Sequence, residues 1–330
     1  MNGPAVTLVF GGDYDRIRSL PSEGRAAGLE VVPVILDGPK AAFTTLSRSG
    51  QADGGEMSAS FYLTQRSKQG PDCDFVALPV WISRSFRHGN VYVREDSGLH
   101  TLADLAGRRV GLAEYGMTMA VWLRGILYDE AGVKPSDVEW HAGRAPAALS
   151  ADMLRYPGDV TIVEADRDVP LPDQVASGTL DAMIGAVAAP SPPGLRRLLR
   201  DHVAEEQAYY RRTGVFPIMH VLVLRRRFVR DRPDDVRRIF DAFVAAKRTA
   251  ERQLRSASVS YATLPWLLAA VEEAGRVMGP DPWPYGIRRN LPTLRALHRY
   301  MDQQGLLWGQ TRLEDLFLPF EPDNSPSGWA

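Results

Sequence analysis

Short apolar runs separated by helical stretches fill the first two-thirds of the chain, and this alternation dictates a layered α/β architecture. "VTLVF" (6–10), "LEVVPVIL" (29–36), "FVALPV" (75–80) and "NVYVRE" (90–95) read as strands. Between them, "AAFTTLSR" (41–48) has helical spacing, and "GGEMSASFYLTQRSKQ" (54–69) opens a further helix after two glycines. Strands joined through helices imply a largely parallel sheet covered on both faces. A second block repeats the alternation. "TLADLAGRRVGL" (101–112) gives a short helix capped by Thr101 and then a strand, and "MTMAVWLRGILYDEAGV" (117–133) gives a helix stopped at Gly132. "VEWHAG" and "VTIVEA" are strands, "LPDQVASGTLDAMIG" (171–185) is a helix, a glycine and a strand, "AEEQAYYRRTG" (204–214) is helical, and "PIMHVLVLRR" (217–226) is a long strand. From residue 233 the pattern is almost wholly helical, with Pro233 at its start. The closing "EPDNSPSGWA" reads as a frayed tail.

A chain of 330 residues is too long for one ordinary core and suits two lobes. The order of elements predicts one lobe from residues 1–92 with 221–330 and a second from 93–220, joined by two crossing strands. The ligand site then falls in the cleft at the carboxyl ends of the strands. "GGDYDR", "GGEMSAS", "SRSFRHGN", "EYGMT" and "TGVFPIMH" face that cleft. Arg84, Arg87 and His88 crowd one of these loops in a chain whose net charge is only −1, and such a cluster suits a small anionic ligand. Basic residues are otherwise dispersed, so nucleic acid is not an expected partner. The single cysteine, Cys73, allows neither an internal disulfide nor a cysteine-based metal site. No run approaches the roughly 20 apolar residues of a membrane span. "VTLVF" lacks the flanks of a secretory signal, so the expected compartment is the cytoplasm.

"TLADLAGRRVGLAEY" and "ASGTLDAMIG" are similar to segments of type II periplasmic-binding-protein folds. "GDYDR", "GEMSASFYL", "ALPVWISRSFRHGNVYV", "EYGMTMAVWLRGIL", "YYRRTGVFPIMH" and "WPYG", spread over residues 12–286, together resemble the 4,5-dihydroxyphthalate decarboxylase family. The stretch 143–170 matches nothing in that set. The resemblance implies a two-lobed α/β fold of the periplasmic-binding-protein type with an interlobe cleft and C-terminal helices. It also implies decarboxylation of an aromatic hydroxy-dicarboxylate, such as 4,5-dihydroxyphthalate, to protocatechuate and CO2. The expected partner is that small aromatic dicarboxylate, with self-association into a homo-oligomer left open. The alternatives are a non-catalytic solute-binding protein, another cytoplasmic enzyme on the same fold, and a ligand sensor.

Losing CO2 directly from an aromatic ring strands an electron pair in the ring plane. Protonating the carbon that bears the carboxylate first, with electron density fed from a para hydroxyl, avoids this. The enzyme then needs cations for the carboxylates, an acid for the ring carbon and an acceptor for the phenolic proton, and in principle no metal or organic cofactor. Arg84 and Arg87 are the expected carboxylate binders, helped by Arg16 and Arg124. Glu56 is either a charge at a helix N-terminus or a general acid. His88 is preferred over His220 as the proton carrier, because "FPIMHVLV" also suits a satisfied core histidine. His100, His141, His202 and His298 look incidental. Asp15 reads as a cap or ion-pair partner, and Asp13 stays open as a site residue. Ser58, Glu114, Tyr115 and Thr118 line the expected site, with Thr118 at a helix start that suits an anion. Trp122, Tyr209, Tyr210, Trp283 and Tyr285 offer faces for stacking on an aromatic ring.

Overall fold

The computed structural model describes residues 4–48, 50–143, 158–187 and 190–322. Residues 323–330 of the expected frayed tail and much of the unmatched stretch 143–170 lie outside the described residues, whereas Glu321, at the start of that tail, is buried and accepts from the Ile287 and Arg288 amides. The chain begins with β1 (Val6–Phe10), α1 (Leu20–Ala26), β2 (Val31–Ile35), α2 (Pro39–Arg48), β3 (Gly54–Ser58), α3 (Ala59–Gln69) and β4 (Phe75–Arg84). It continues through β5 (Val91–Arg94), β6 (Arg109–Leu112), α4 (Thr118–Ala131), β7 (Glu139–Ala142), β8 (Ile162–Glu164), α5 (Leu171–Ala176), β9 (Ala182–Ile184), β10 (Leu195–Arg197) and α6 (His202–Thr213). It closes with β11 (Ile218–Arg225), α7 (Arg226–Asp231), α8 (Pro233–Leu254), α9 (Leu267–Met278) and α10 (Leu291–Gln303).

Two mixed sheets result, ordered β2-β1-β3-β11-β4 and β10-β5-β9-β6-β7-β8. β1 pairs in parallel with β2 and β3, and β6 in parallel with β7 and β9. The antiparallel partners arise where the chain changes sheet. β5 starts at Val91 opposite Ile184, the end of β9, and β11 starts at Ile218 opposite Arg84, the end of β4. Each of these two strands begins at the junction where its neighbours finish, so it must run against them. α8 seals the first sheet with Val236, Ile239, Phe240 and Phe243, all buried.

A helix was expected to open directly after Gly54 and Gly55, and residues 54–58 form β3 instead. The two glycines are the physical reason. A Cβ on Gly54 would stand 2.3 Å from the Val223 carbonyl oxygen, and one on Gly55 2.2 Å from that of Val9. Gly55 also sits at φ 152°, a conformation open to glycine. The glycines therefore admit β1 and β11 on either side, and β3 becomes the centre of the first sheet. β10, which pairs antiparallel with β5, is three residues long and two of them are arginine, so no apolar run announced it.

α4, whose N-terminal neighbours belong to the second sheet, packs on α10 and β11 of the first. Trp122 Nε1 donates to the Ile218 carbonyl at 2.9 Å, Arg124 Nε to Gln304 Oε1 at 2.8 Å, and Gln304 Nε2 to the Val121 carbonyl at 3.0 Å. Arg299 and the Tyr300 hydroxyl both donate to Asp129. Gly125 lets the Tyr300 ring lie directly on the helix, since a Cβ there would meet ring atoms at 2.2–2.5 Å. Alanine normally gains about 1 kcal/mol over glycine in a helix interior. Overpacking against a ring costs about 1–3 kcal/mol. Gly125→Ala is therefore expected to lower the urea midpoint; a raised midpoint would contradict this packing.

Candidate active site

The carboxyl ends of β3 and β6 converge on a cavity of about 280 Å³ between the two sheets. Lys40, Phe43, Thr44 and Ser47 of α2 line one side, and Ser58, Ser60 and Phe61 line the junction of β3 with α3. Ala113, Glu114 and Gly116–Met119 close it from the second lobe, and Arg87, Met219 and His220 complete it where the chain crosses.

Glu56 lies behind this wall, fully buried on β3. Its Oε2 accepts from the Gly11 amide at 2.8 Å and its Oε1 from the Tyr14 hydroxyl at 2.8 Å. The same Oε1 is 2.5 Å from His220 Nδ1. A carboxylate accepts, so Nδ1 carries the proton in this contact, and Nε2 is left to serve a ligand. Pairing across β3 and β11 puts Leu222 opposite Glu56 and His220 opposite Ser58. Phe43 packs edge-on against the imidazole at 5.1 Å, holding the ring in place. Burial, reinforced by the charge of Glu56, holds the Tyr14 hydroxyl well above the ordinary phenol range, so it remains a donor.

Arg87 is only 9% exposed and still faces the cavity. Its Nε meets Met219 Sδ at 3.0 Å and its Nη1 meets Asn90 Oδ1 at 3.3 Å. Among the described residues it has no carboxylate in ion-pair contact. Burial, opposed by the charge of Glu206 at longer range, lowers its pKa to about 10, which leaves it charged at neutral pH. Across the cavity, Ser58, Ser60 and Thr118 share hydroxyl contacts of 2.9–3.4 Å. The Ser60 amide donates to Thr118 Oγ1 at 3.1 Å and Ser60 Oγ to the Gly116 carbonyl at 2.7 Å. These bonds bring the N-termini of α3 and α4 together, so both helix dipoles present their positive ends to the same space.

Of the residues expected from sequence, Arg87, Ser58, Glu114, Thr118 and His220 line the cavity, and Glu56 stands one hydrogen bond behind it. Others lie elsewhere. Arg84 is buried and does not line the cavity, donating to Asn290 Oδ1 at 2.8 Å and the Phe216 carbonyl at 2.6 Å, and burial lowers its pKa to about 9. His88 is fully buried, with Nε2 3.3 Å from Glu130 Oε2 and its ring 4.9 Å from Tyr209. Arg16 pairs with Asp15 and lies over Trp283, while Asp13 pairs with Arg18 at the exposed surface. Trp122 and Arg124 belong to the contact between α4, β11 and α10, with Tyr115 stacked under the Arg124 guanidinium at 3.6 Å. Tyr285 is buried in the first lobe. Lys40, Phe43 and Ser60 were not anticipated as site residues. Lys40 stands just before the helix read over 41–48, and nothing local distinguishes it. Among the described residues, no cluster of histidine, cysteine and carboxylate side chains suits a metal ion.

No protein-family model matches the chain. A 4,5-dihydroxyphthalate decarboxylase of Comamonas testosteroni is 32% identical over 316 residues, covering 93% of this chain and 94% of the relative. One of Pseudomonas putida is 35% identical over 208 residues, or 61% of this chain and 79% of the relative. Among solved structures, a periplasmic sulfonate-binding protein of Methylobacillus flagellatus superposes with a TM-score of 0.54 at 17% identity, covering 96% of this chain and 92% of that one. A variant of DSZB in complex with biphenyl-2-sulfinic acid gives 0.50 at 18% identity, covering 96% of each chain. At such identities the likeness is one of fold, and it matches the two-lobed α/β architecture.

A hydrogen bond to a charged group contributes about 1.5–3 kcal/mol. Tyr14→Phe removes one of three donors to Glu56 and is expected to destabilise the protein by about that amount in urea unfolding. An unchanged midpoint would show that the hydroxyl contact carries no load.

Proposed function

The chain belongs to the family of 4,5-dihydroxyphthalate decarboxylases, and from that premise we propose that it removes one carboxylate from a hydroxylated aromatic dicarboxylate of the 4,5-dihydroxyphthalate type. It is an enzyme of the carboxy-lyase class. The observation that carries the choice of substrate is Arg87. A buried guanidinium without a carboxylate partner is costly, by several kcal/mol after relaxation, unless a ligand supplies the negative charge. An aromatic dicarboxylate does so, and its planar carboxylate fits the guanidinium fork. Lys40 and the paired helix N-termini favour the second negative charge.

The reaction exchanges a carboxylate for a proton on one ring carbon. His220, oriented by Glu56, takes the proton of the hydroxyl para to the reacting carboxylate through Nε2. Glu56 stabilises the imidazolium that forms, because a buried carboxylate already fixed by Gly11 and Tyr14 need not reorganise. Electron density from the phenolate oxygen moves to the ring carbon, which accepts a proton and becomes tetrahedral. The bond to the carboxylate then breaks, CO2 leaves, its bonding pair restores the aromatic ring, and His220 returns the phenolic proton. One proton from solvent is consumed overall.

Purified protein incubated with 4,5-dihydroxyphthalate is expected to release CO2 and protocatechuate; tight binding without CO2 would support a solute-binding protein instead. Arg87→Ala is expected to raise KM about 10- to 100-fold, the loss of a charge-assisted contact. His220→Asn is expected to lower kcat about 10²- to 10⁴-fold. Wild-type kinetics in either variant would remove that residue from the site.

A further inference from the structure

The cavity holds a second titratable group with no structural work to do. Glu114 lines it from the turn that precedes α4, half-buried, and its carboxyl has neither a hydrogen bond nor an ion pair to any described residue. Other interior carboxylates among the described residues are committed, such as Glu56 to Gly11, Tyr14 and His220, Asp129 to Arg299 and Tyr300, and Glu321 to the amides of Ile287 and Arg288. We propose that Glu114 is the acid that protonates the ring carbon, facing His220 across the bound ring. This rests on the decarboxylase reading above.

The two groups divide the chemistry. His220 sits in the first lobe with a carboxylate behind it, which suits a proton acceptor. Glu114 sits in the second lobe with burial raising its pKa, opposed by Lys40. The charged and titratable groups that share the cavity walls are Lys40 from α2, Arg87 from the chain crossing and His220 from β11. A dianionic ligand adds negative charge beside Glu114 and favours its protonated form further. The proton passes from the Glu114 carboxyl to the ring carbon, and the resulting carboxylate takes a proton from water after CO2 leaves.

Glu114→Gln in the full chain tests this against 4,5-dihydroxyphthalate, with kcat and KM followed across pH. The expected result is a kcat lower by about 10²- to 10⁴-fold with KM within about threefold of wild type. The wild-type fall in kcat as pH rises through the Glu114 pKa should vanish in the variant. Wild-type kcat and an unchanged pH profile would overturn the proposal. Should the glutamine variant not fold, Glu114→Asp decides: a lowered kcat with a displaced alkaline limb supports the assignment, and an unmoved limb overturns it. A wild-type protein that releases no CO2 fails the decarboxylase reading itself, and the assignment of Glu114 with it.

Discussion

The contact between Glu56 and His220 organises the cleft. A carboxylate placed at the centre of a sheet, with no exposed surface, is tolerated because three donors converge on it, two from the loop that leaves β1 and one from β11. Those donors tie the first β-strand's exit loop, the central strand and the returning strand into one frame. The frame sets which nitrogen of His220 is free and where it points. Removing any one member would weaken the pairing of a buried carboxylate, so the site and the fold are stabilised by the same bonds.

Around that frame the cavity combines features that act at different ranges. Two helix N-termini meet through Ser58, Ser60 and Thr118 and polarise the space. Arg87 adds a full charge in a wall where burial has removed most of the water that would screen it. Phe43, Phe61, Met117 and Met219 supply apolar surface for a ring. The ties between α4 and α10 fix α4 along its length and at its far end, while the start of the same helix lines the cavity. Groups from the two sheets are thereby kept in register across a narrow gap.

Much of this architecture was legible in the sequence because it depends on periodicity. The apolar runs read at 6–10, 29–36 and 217–226 appear as β1, β2 and β11, and the helix stopped by Gly132 appears as α4. β3 was missed because "GGEMS" carries no alternation of its own; its identity as a strand depends on how closely β1 and β11 approach the two glycines, which is a tertiary fact. That single miss also hid the role of Glu56, which sits on a strand rather than at a helix start. Arg84 and Arg87 are three residues apart and chemically identical in sequence. Only the fold turns one toward Asn290 and the other toward the cavity. The preference for His88 over His220 followed from reading "FPIMHVLV" as a strand that suits a core histidine, whereas the structure buries His88 beside Glu130 and Tyr209 and gives His220 both a carboxylate and the cavity. Lys40 comes from a helix far from any motif, so no local signal pointed to it.

The account turns on an anion seated against Arg87 within reach of His220. Phthalate keeps both carboxylates but lacks the hydroxyls that the chemistry needs, so it should bind without reacting. A crystal structure of its complex is predicted to show one carboxylate hydrogen-bonded to the Arg87 guanidinium, with the ring lying between His220 and Glu114. Phthalate bound away from the interlobe cavity, or inside it with Arg87 still turned to Met219 and Asn90, would contradict the account.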